Sequence, residues 1–349
     1  MKVFNSIRFS QVFLVLLILM FFSVPRTLQS QQSWHATVGG QSDDMAKQAL
    51  AFLPNEIWIH AGDSITWTFA SDEIHTLTFL TPGQVYPSFQ GPGAGCPGFA
   101  SSGASFNGGT CVTTPPMVKG QTFTITFPKA GNYKFDCLVH NTMTGAIHVL
   151  SASEALPHNQ DFYNNQAAAE LKSLLSDTDQ KMRMDMDGGH DEDDGFSVQV
   201  IPHKKLVTAG VGETTSTPGG YQQLAIVRFL KGTIEIHAGD TVEWSNHDPD
   251  EPHTITFGTE PPPNEQFPPS SNVTVDSDGA LHAVITAPGE NVHSGFIEQA
   301  LEDEFGVPSN TLAANPTRFR VTFTQAGTYN YKCVLHDNLG MVGKVTVLP

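Results

Sequence analysis

The sequence predicts an all-β protein made of two tandem Greek-key β-sandwich or barrel domains joined by a helix-containing acidic linker. Three observations carry that expectation: an internal duplication, a period-two alternation inside the duplicated blocks, and a composition rich in turn formers. Residues 59–69 read IHAGDSITWTF and residues 236–246 read IHAGDTVEWSN. Later, FTITFPKAGNYKFDCLVH (123–140) matches FRVTFTQAGTYNYKCVLH (319–336), and each half ends in a short apolar run, AIHVL or KVTVL. In Phe123–Phe127 and Phe319–Phe323 apolar and polar residues alternate, as in strands with one buried face. The Ala-Gly-Asp, Ala-Gly-Asn and Ala-Gly-Thr tripeptides mark turns between them. With 31 Gly, 23 Pro and 15% charged residues, the chain suits many short strands spaced by turns.

The elements follow in chain order. Lys2 and Arg8 flank the start of an unbroken apolar run, Val12 to Phe22, and Pro25 ends it. Eleven residues are too few to span a bilayer, which takes roughly 20. Residues 1–30 are therefore expected to be a secretory signal, leaving no transmembrane segment in a mature chain that is secreted or periplasmic. A retained membrane anchor is the competing reading. The first β domain is placed at 31–152 and the second at 196–349. Between them, 153–195 holds a helix, predicted within 161–181 from its run of Ala and Leu, and then an Asp-, Gly- and Met-rich solvated stretch.

The repeat offset is 177 to 178 residues early and 196 late, so the second copy carries about 18 extra residues between its first ligand-type His and its Cys. The net charge of −17 disfavours nucleic acid and anionic membranes and favours a basic protein partner. Cys96 and Cys111 lie in one Gly- and Ser-rich stretch and are expected to form a disulfide, worth about 3 kcal/mol through the unfolded chain.

Cys137 and Cys333 stand in matching contexts instead. Each is followed by a His three residues on, then by a Met, with another His on an earlier strand-like run. The two sets are His75, Cys137, His140 and Met143, and His253, Cys333, His336 and Met341. A thiolate, two imidazoles and a weak axial thioether suit both Cu(I) and Cu(II), the arrangement of a type 1 (blue) electron-transfer copper. Zinc is a poor match, because Met binds it weakly and neither set has a second Cys or a carboxylate.

On these residues both halves resemble the cupredoxins, the family of plastocyanin, azurin and amicyanin. The stretch C-V-L-H-D-N-L-G-M-V-G (333–343) follows plastocyanin spacing, while C-L-V-H-N-T-M-T-G (137–145) is two residues shorter between His and Met and resembles amicyanin. The resemblance implies an early His at a strand end and a Cys–His–Met loop joining the last two strands. It also implies two type 1 copper ions per chain and one-electron transfer with a redox partner. The acidic surface makes a basic c-type cytochrome the expected partner type.

An enzyme is disfavoured. No two of the fourteen histidines are separated by a single residue, so the His-x-His pairs of multicopper oxidases are absent. Neither cysteine is flanked by His: the neighbours are Asp136 and Leu138, and Lys332 and Val334. Copper nitrite reductases place a His where Asp136 stands. A catalytic copper assembled from His60, His237, His282 or His293 is the enzyme alternative. Against it, His60 and His237 are expected to face solvent or a domain contact, and His247 and His293 to lie in exposed loops. A third reading, a copper carrier, storage or resistance protein, rests on Met182, Met184, Met186 and His190 as auxiliary Cu(I) ligands.

Overall fold

Alternation in the sequence becomes a buried face in the structure. In the Ser64–Phe69 strand Ile65, Trp67 and Phe69 point inward, and in Thr122–Thr126 Phe123 and Ile125 do so. The same pattern recurs in Arg318–Phe323 through Phe319, Val321 and Phe323. A computed structural model describes residues 30–84, 96–176, 203–262, 267–299 and 316–349 of the 349-residue chain. The expected signal segment lies almost entirely outside them, as do residues 177–202 with Met182, Met184, Met186 and His190.

Each half is two facing sheets. In the first, a five-stranded sheet runs Glu56–His60, Thr144–Leu150, Gly131–Asp136, Thr78–Phe79, Val112–Thr113. The second repeats it as Thr233–His237, Val342–Leu348, Gly327–Lys332, Thr256–Phe257, Val292–His293. Aromatic side chains fill each space between sheets. Trp67 meets Phe79, Phe127 and Phe135 edge-on, and Trp244 meets Phe257 and Tyr331 in the same way.

The other sheet belongs to both halves. Its eleven strands run without a break because Lys47–Leu53 of the first half pairs antiparallel with Gly220–Leu230 of the second. The register sets Gln48 opposite Ala225, a separation of 225 − 48 = 177 positions. That equals the offset between Ile59 and Ile236 at the start of the repeated IHAGD. Equivalent residues of equivalent strands are thus opposed, and the halves meet about a local pseudo-two-fold axis. Two sheet edges that would otherwise be exposed close each other.

The far edges of this sheet differ between the halves. In the first half the two-residue strand Ala104–Ser105 ends the sheet beside Thr122–Thr126. In the second, Leu281–Ile285 pairs with Arg318–Phe323 and adds the strand Thr274–Val275. Arg320 crosses this edge to Glu243, Asp276 and Asp278. The disulfide between Cys96 and Cys111 is present.

The helix, Gln160–Ser176, starts where Asn159 Oδ1 accepts the Phe162 N–H at 3.0 Å, a side-chain N-cap. Ala167, Leu171, Leu174 and Leu175 form one stripe against Ala49, Ala51 and Leu53. Nearer its start, buried Tyr163 meets Trp34 edge-on at 5.8 Å. The Tyr163 hydroxyl accepts the Trp58 N–H at 2.9 Å and donates to the Trp58 carbonyl at 3.3 Å. Tyr163→Phe should leave both backbone groups unpaired and cost about 1–3 kcal/mol. Tyr163→Ala should cost about 3–5 kcal/mol by opening a cavity as well. Urea unfolding of the two variants, with unchanged m-values, would check both figures.

Candidate metal centres

His75 enters its site from a bridge, not a long strand: its N–H and C=O pair with Met117 at 2.9 and 2.8 Å. His253 pairs with Ile297 in the same way. The cysteines come from the opposite side, one residue beyond the Gly131–Asp136 and Gly327–Lys332 strands. Each loop then closes on itself, Cys137 N–H donating to the Met143 carbonyl at 3.0 Å and Cys333 N–H to that of Met341 at 3.1 Å. Both loops join the last two strands of their halves, as expected. The two extra residues of the second are taken up by the 3-10 turn Asp337–Leu339, which ends at Gly340 with φ 97°.

Within each half the side chains converge. His75 Nδ1 lies 3.0 Å from His140 Nδ1, and Cys137 Sγ lies 3.6 Å from His140 Nδ1 and 4.0 Å from His75 Nδ1. The corresponding distances for His253, His336 and Cys333 are 3.1, 3.5 and 3.9 Å. All six residues are at most 1% exposed. Two nitrogens and a sulfur so close in an apolar interior form a donor set for a single soft or borderline cation. Met143 and Met341 are fully buried in the same cores as their cysteines.

The surroundings favour a deprotonated sulfur. Burial opposes thiolate formation at Cys333, but the His336 and His253 imidazoles more than offset it and hold the thiol well below its ordinary range. Cys137 is lowered in the same sense by His140. Each sulfur also accepts a backbone N–H at 3.3 Å, from Thr76 or Thr254. Ser71 Oγ sits 2.9 Å from His75 Nε2, which leaves Nδ1 for the centre. Behind the same ring runs Gly39, a bulge residue at φ 69°, whose Cβ would stand 2.6 Å from His75 Nε2. Gly210 plays this part for His253 at φ 80°. Glycine is required at both places, by conformation and by space.

The remaining nitrogen of each loop histidine points across the junction. His140 Nε2 lies 2.8 Å from Glu251 Oε1, and His336 Nε2 lies 3.4 Å from Glu251 Oε2 and 3.7 Å from Glu73 Oε2. Asp250 accepts the N–H groups of Asn141 and Thr142, both at 3.1 Å, so the second half grips the first half's ligand loop. Thr142 Oγ1 donates to Gln223 Oε1 at 2.8 Å, and Gln223 Nε2 donates to Asp248 Oδ1 at 2.7 Å. Burial, then the neighbouring Glu251 charge, pushes Asp248 up to about 8.

None of these acids was singled out from the sequence, although it carries their signal. Asp-Glu-x-His occurs twice, at 72–75 and 250–253, with Glu two residues before each strand histidine. Other expectations need correction. Of the two places expected for His60, solvent or a domain contact, only the second fits: it is 5% exposed, with Nε2 2.8 Å from the Glu154 carbonyl in the segment after the first domain. His293 is not in an exposed loop but in the short strand Val292–His293, 7% exposed and paired with Thr256. His237 is exposed as expected; His247 is exposed too, but as the last residue of the strand Thr241–His247 and not in a loop, and His282 is tied to Asp276 and Thr322. Among the described residues, His60, His237, His282 and His293 belong to none of the three clusters of metal-binding type; the third is Glu73, His140 and Glu251.

The sequence matches the family described as copper binding proteins, plastocyanin/azurin family, over residues 40–150 and 219–348. The chain belongs to that family, once in each half. A plastocyanin from Sambucus nigra is 33% identical over 90 residues, 25% of this chain and 84% of that protein. A chloroplastic plastocyanin from Fritillaria agrestis is 30% identical over 119 residues, 34% of this chain and only 51% of that protein's length. Among solved structures, oxidized plastocyanin from Dryopteris crassirhizoma aligns with 18% identity and a TM-score of 0.21, covering 41% of this chain and 99% of that one. A reduced amicyanin variant aligns with 19% identity and a TM-score of 0.23, covering 34% and 82%.

Two outcomes follow from this geometry. Gly210→Ala should push His253 out of place and lower metal affinity at the second centre by about 10–100-fold, leaving the first intact; metal titration with each centre read separately checks it. For Asp248, folding favours the protonated acid. Its contribution is therefore complete below the ordinary range near 3.8 and is lost as pH rises toward about 8. Between those limits the loss should approach about 1.4 kcal/mol per pH unit. Asp248→Asn should flatten the dependence, as urea unfolding between pH 5 and 9 would show.

Proposed function

We propose that this protein holds copper at two type 1 centres, one in each half, and transfers single electrons through them. The observation that carries this reading is the near-identity of the two buried His–Cys–His triangles, each with a backbone N–H on the sulfur. His75, Cys137 and His140 would hold one ion and His253, Cys333 and His336 the other, with Met143 and Met341 as axial ligands. Copper bound there would supply a one-electron couple. The protein keeps the ligands fixed in both oxidation states, because every ligand backbone is pinned by a bridge or a closed loop. Little then has to move when the charge changes.

Secretion or export to the periplasm accompanies the reading, supported by the apolar run at 12–22 and by the Cys96–Cys111 disulfide, which suits an oxidising compartment. Among the described residues no helix is long and apolar enough to cross a membrane. The net charge of −17 supports a basic redox partner, such as a c-type cytochrome.

Copper-loaded protein should contain two ions per chain and show intense thiolate-to-copper absorption when oxidised. Cys137→Ala and Cys333→Ala should each remove one ion and its share of that absorption. Two bound Cu(II) ions without the absorption would overturn the reading. Metal analysis with optical and EPR spectra decides it.

A further inference from the structure

The two loop histidines face each other's half. Both rings are 1% exposed, with Nδ1 turned to their own cysteine and Nε2 to the junction. An outside redox partner cannot touch these edges. Of the side chains against them, one comes closest to both. Glu251 places Oε1 2.8 Å from His140 Nε2 and Oε2 3.4 Å from His336 Nε2.

Glu251 is also held from behind. Its N–H donates to Asp248 Oδ1 at 3.0 Å, and its carbonyl accepts from Asn246 Nδ2 at 2.7 Å. Its counterpart Glu73 is 3.7 Å from His336 and within 4.8 Å of His140, so the pseudo-symmetric pair is unequal and Glu251 makes the closer span.

We propose that Glu251 couples the two centres, one carboxylate oxygen lying against Nε2 of His140 and the other against Nε2 of His336. The centres then exchange an electron inside the chain. The proposal rests on both centres holding copper, as argued above. The exchange oxidises the reduced centre by one electron and reduces the other by one, with no bond change, proton release or outside reagent. A carboxylate shared by both imidazoles favours the oxidised, more positive state of each centre, so Glu251 also lowers both potentials together. Glu251 acts through the histidines and is a positioning residue.

The test uses the full chain loaded with copper, as wild type, Glu251→Ala, Glu251→Gln and Glu73→Gln, with the two Cys→Ala variants assigning each potential. After pulse reduction by less than one electron per chain, redistribution between centres is followed at two protein concentrations. Wild type should redistribute at a rate independent of concentration. Glu251→Ala should slow that rate by about tenfold or more and raise both potentials. Glu251→Gln, which keeps the side-chain size, should still raise both if the Ala variant fails to fold. Glu73→Gln, which removes a more distant charge, should raise the potentials less than Glu251→Gln and leave the rate unchanged.

Unchanged potentials and rate in both Glu251 variants, with both centres still blue, would overturn the coupling while leaving the electron-transfer reading intact. A third metal ion per loaded chain that is lost in Glu251→Gln would also overturn it, by placing a cation between the carboxylates. Loss of blue absorption in the wild type would sink the copper reading and the coupling with it.

Discussion

The antiparallel pairing of Lys47–Leu53 with Gly220–Leu230 determines how everything else in this molecule is placed. Each strand would otherwise be a sheet edge with unpaired N–H and C=O groups. Because the register sets Gln48 against its repeat equivalent Ala225, like surfaces face each other across the junction, although the side chains they carry are not all matched. An isologous junction of this kind brings corresponding features into reciprocal contact. Here those features are the segment before each strand histidine and the ligand loop of the other half.

The consequence is a polar cluster in a place with little water. Glu73, Asp248 and Glu251 are buried, and so are His140 and His336. Burying carboxylates costs several kcal/mol each unless partners replace the lost hydration. Glu251 meets two imidazoles, Asp250 meets two backbone N–H groups, and Asp248 takes a proton with rising ease as it is buried. Apolar side chains of similar size would give a cheaper junction. Retaining these acids beside the metal-type centres is the physical reason to look for a role there beyond stability.

The two copies are alike in their triangles and unlike in what surrounds them. A 3-10 turn lengthens the second ligand loop, while the first closes in two fewer residues. His75 has Ser71 on its outer nitrogen, whereas the outer nitrogen of His253 is buried without a hydrogen-bond partner among the described residues. Equal donor sets in unequal surroundings are expected to differ in potential, since hydrogen bonds and dielectric around a centre tune it.

Much of this was legible from residues alone. Alternation named the core residues of Phe123–Phe127 and Phe319–Phe323, and a duplicated Cys–His–Met spacing with an upstream His named the His–Cys–His sets that the fold brings together. Those features are local in period or repeated in full, so they survive without coordinates. His293 was misplaced, and His60 left open between solvent and a contact, because burial of a single histidine depends on which segment passes over it. For His60 the structure supplies the Glu154 carbonyl beyond the last strand of the first half. The sequence by itself determined the strands, the duplication and the two His–Cys–His sets. Only tertiary structure decided that Glu251 stands between two of those histidines, because that depends on the register between two distant strands, and no local pattern encodes it.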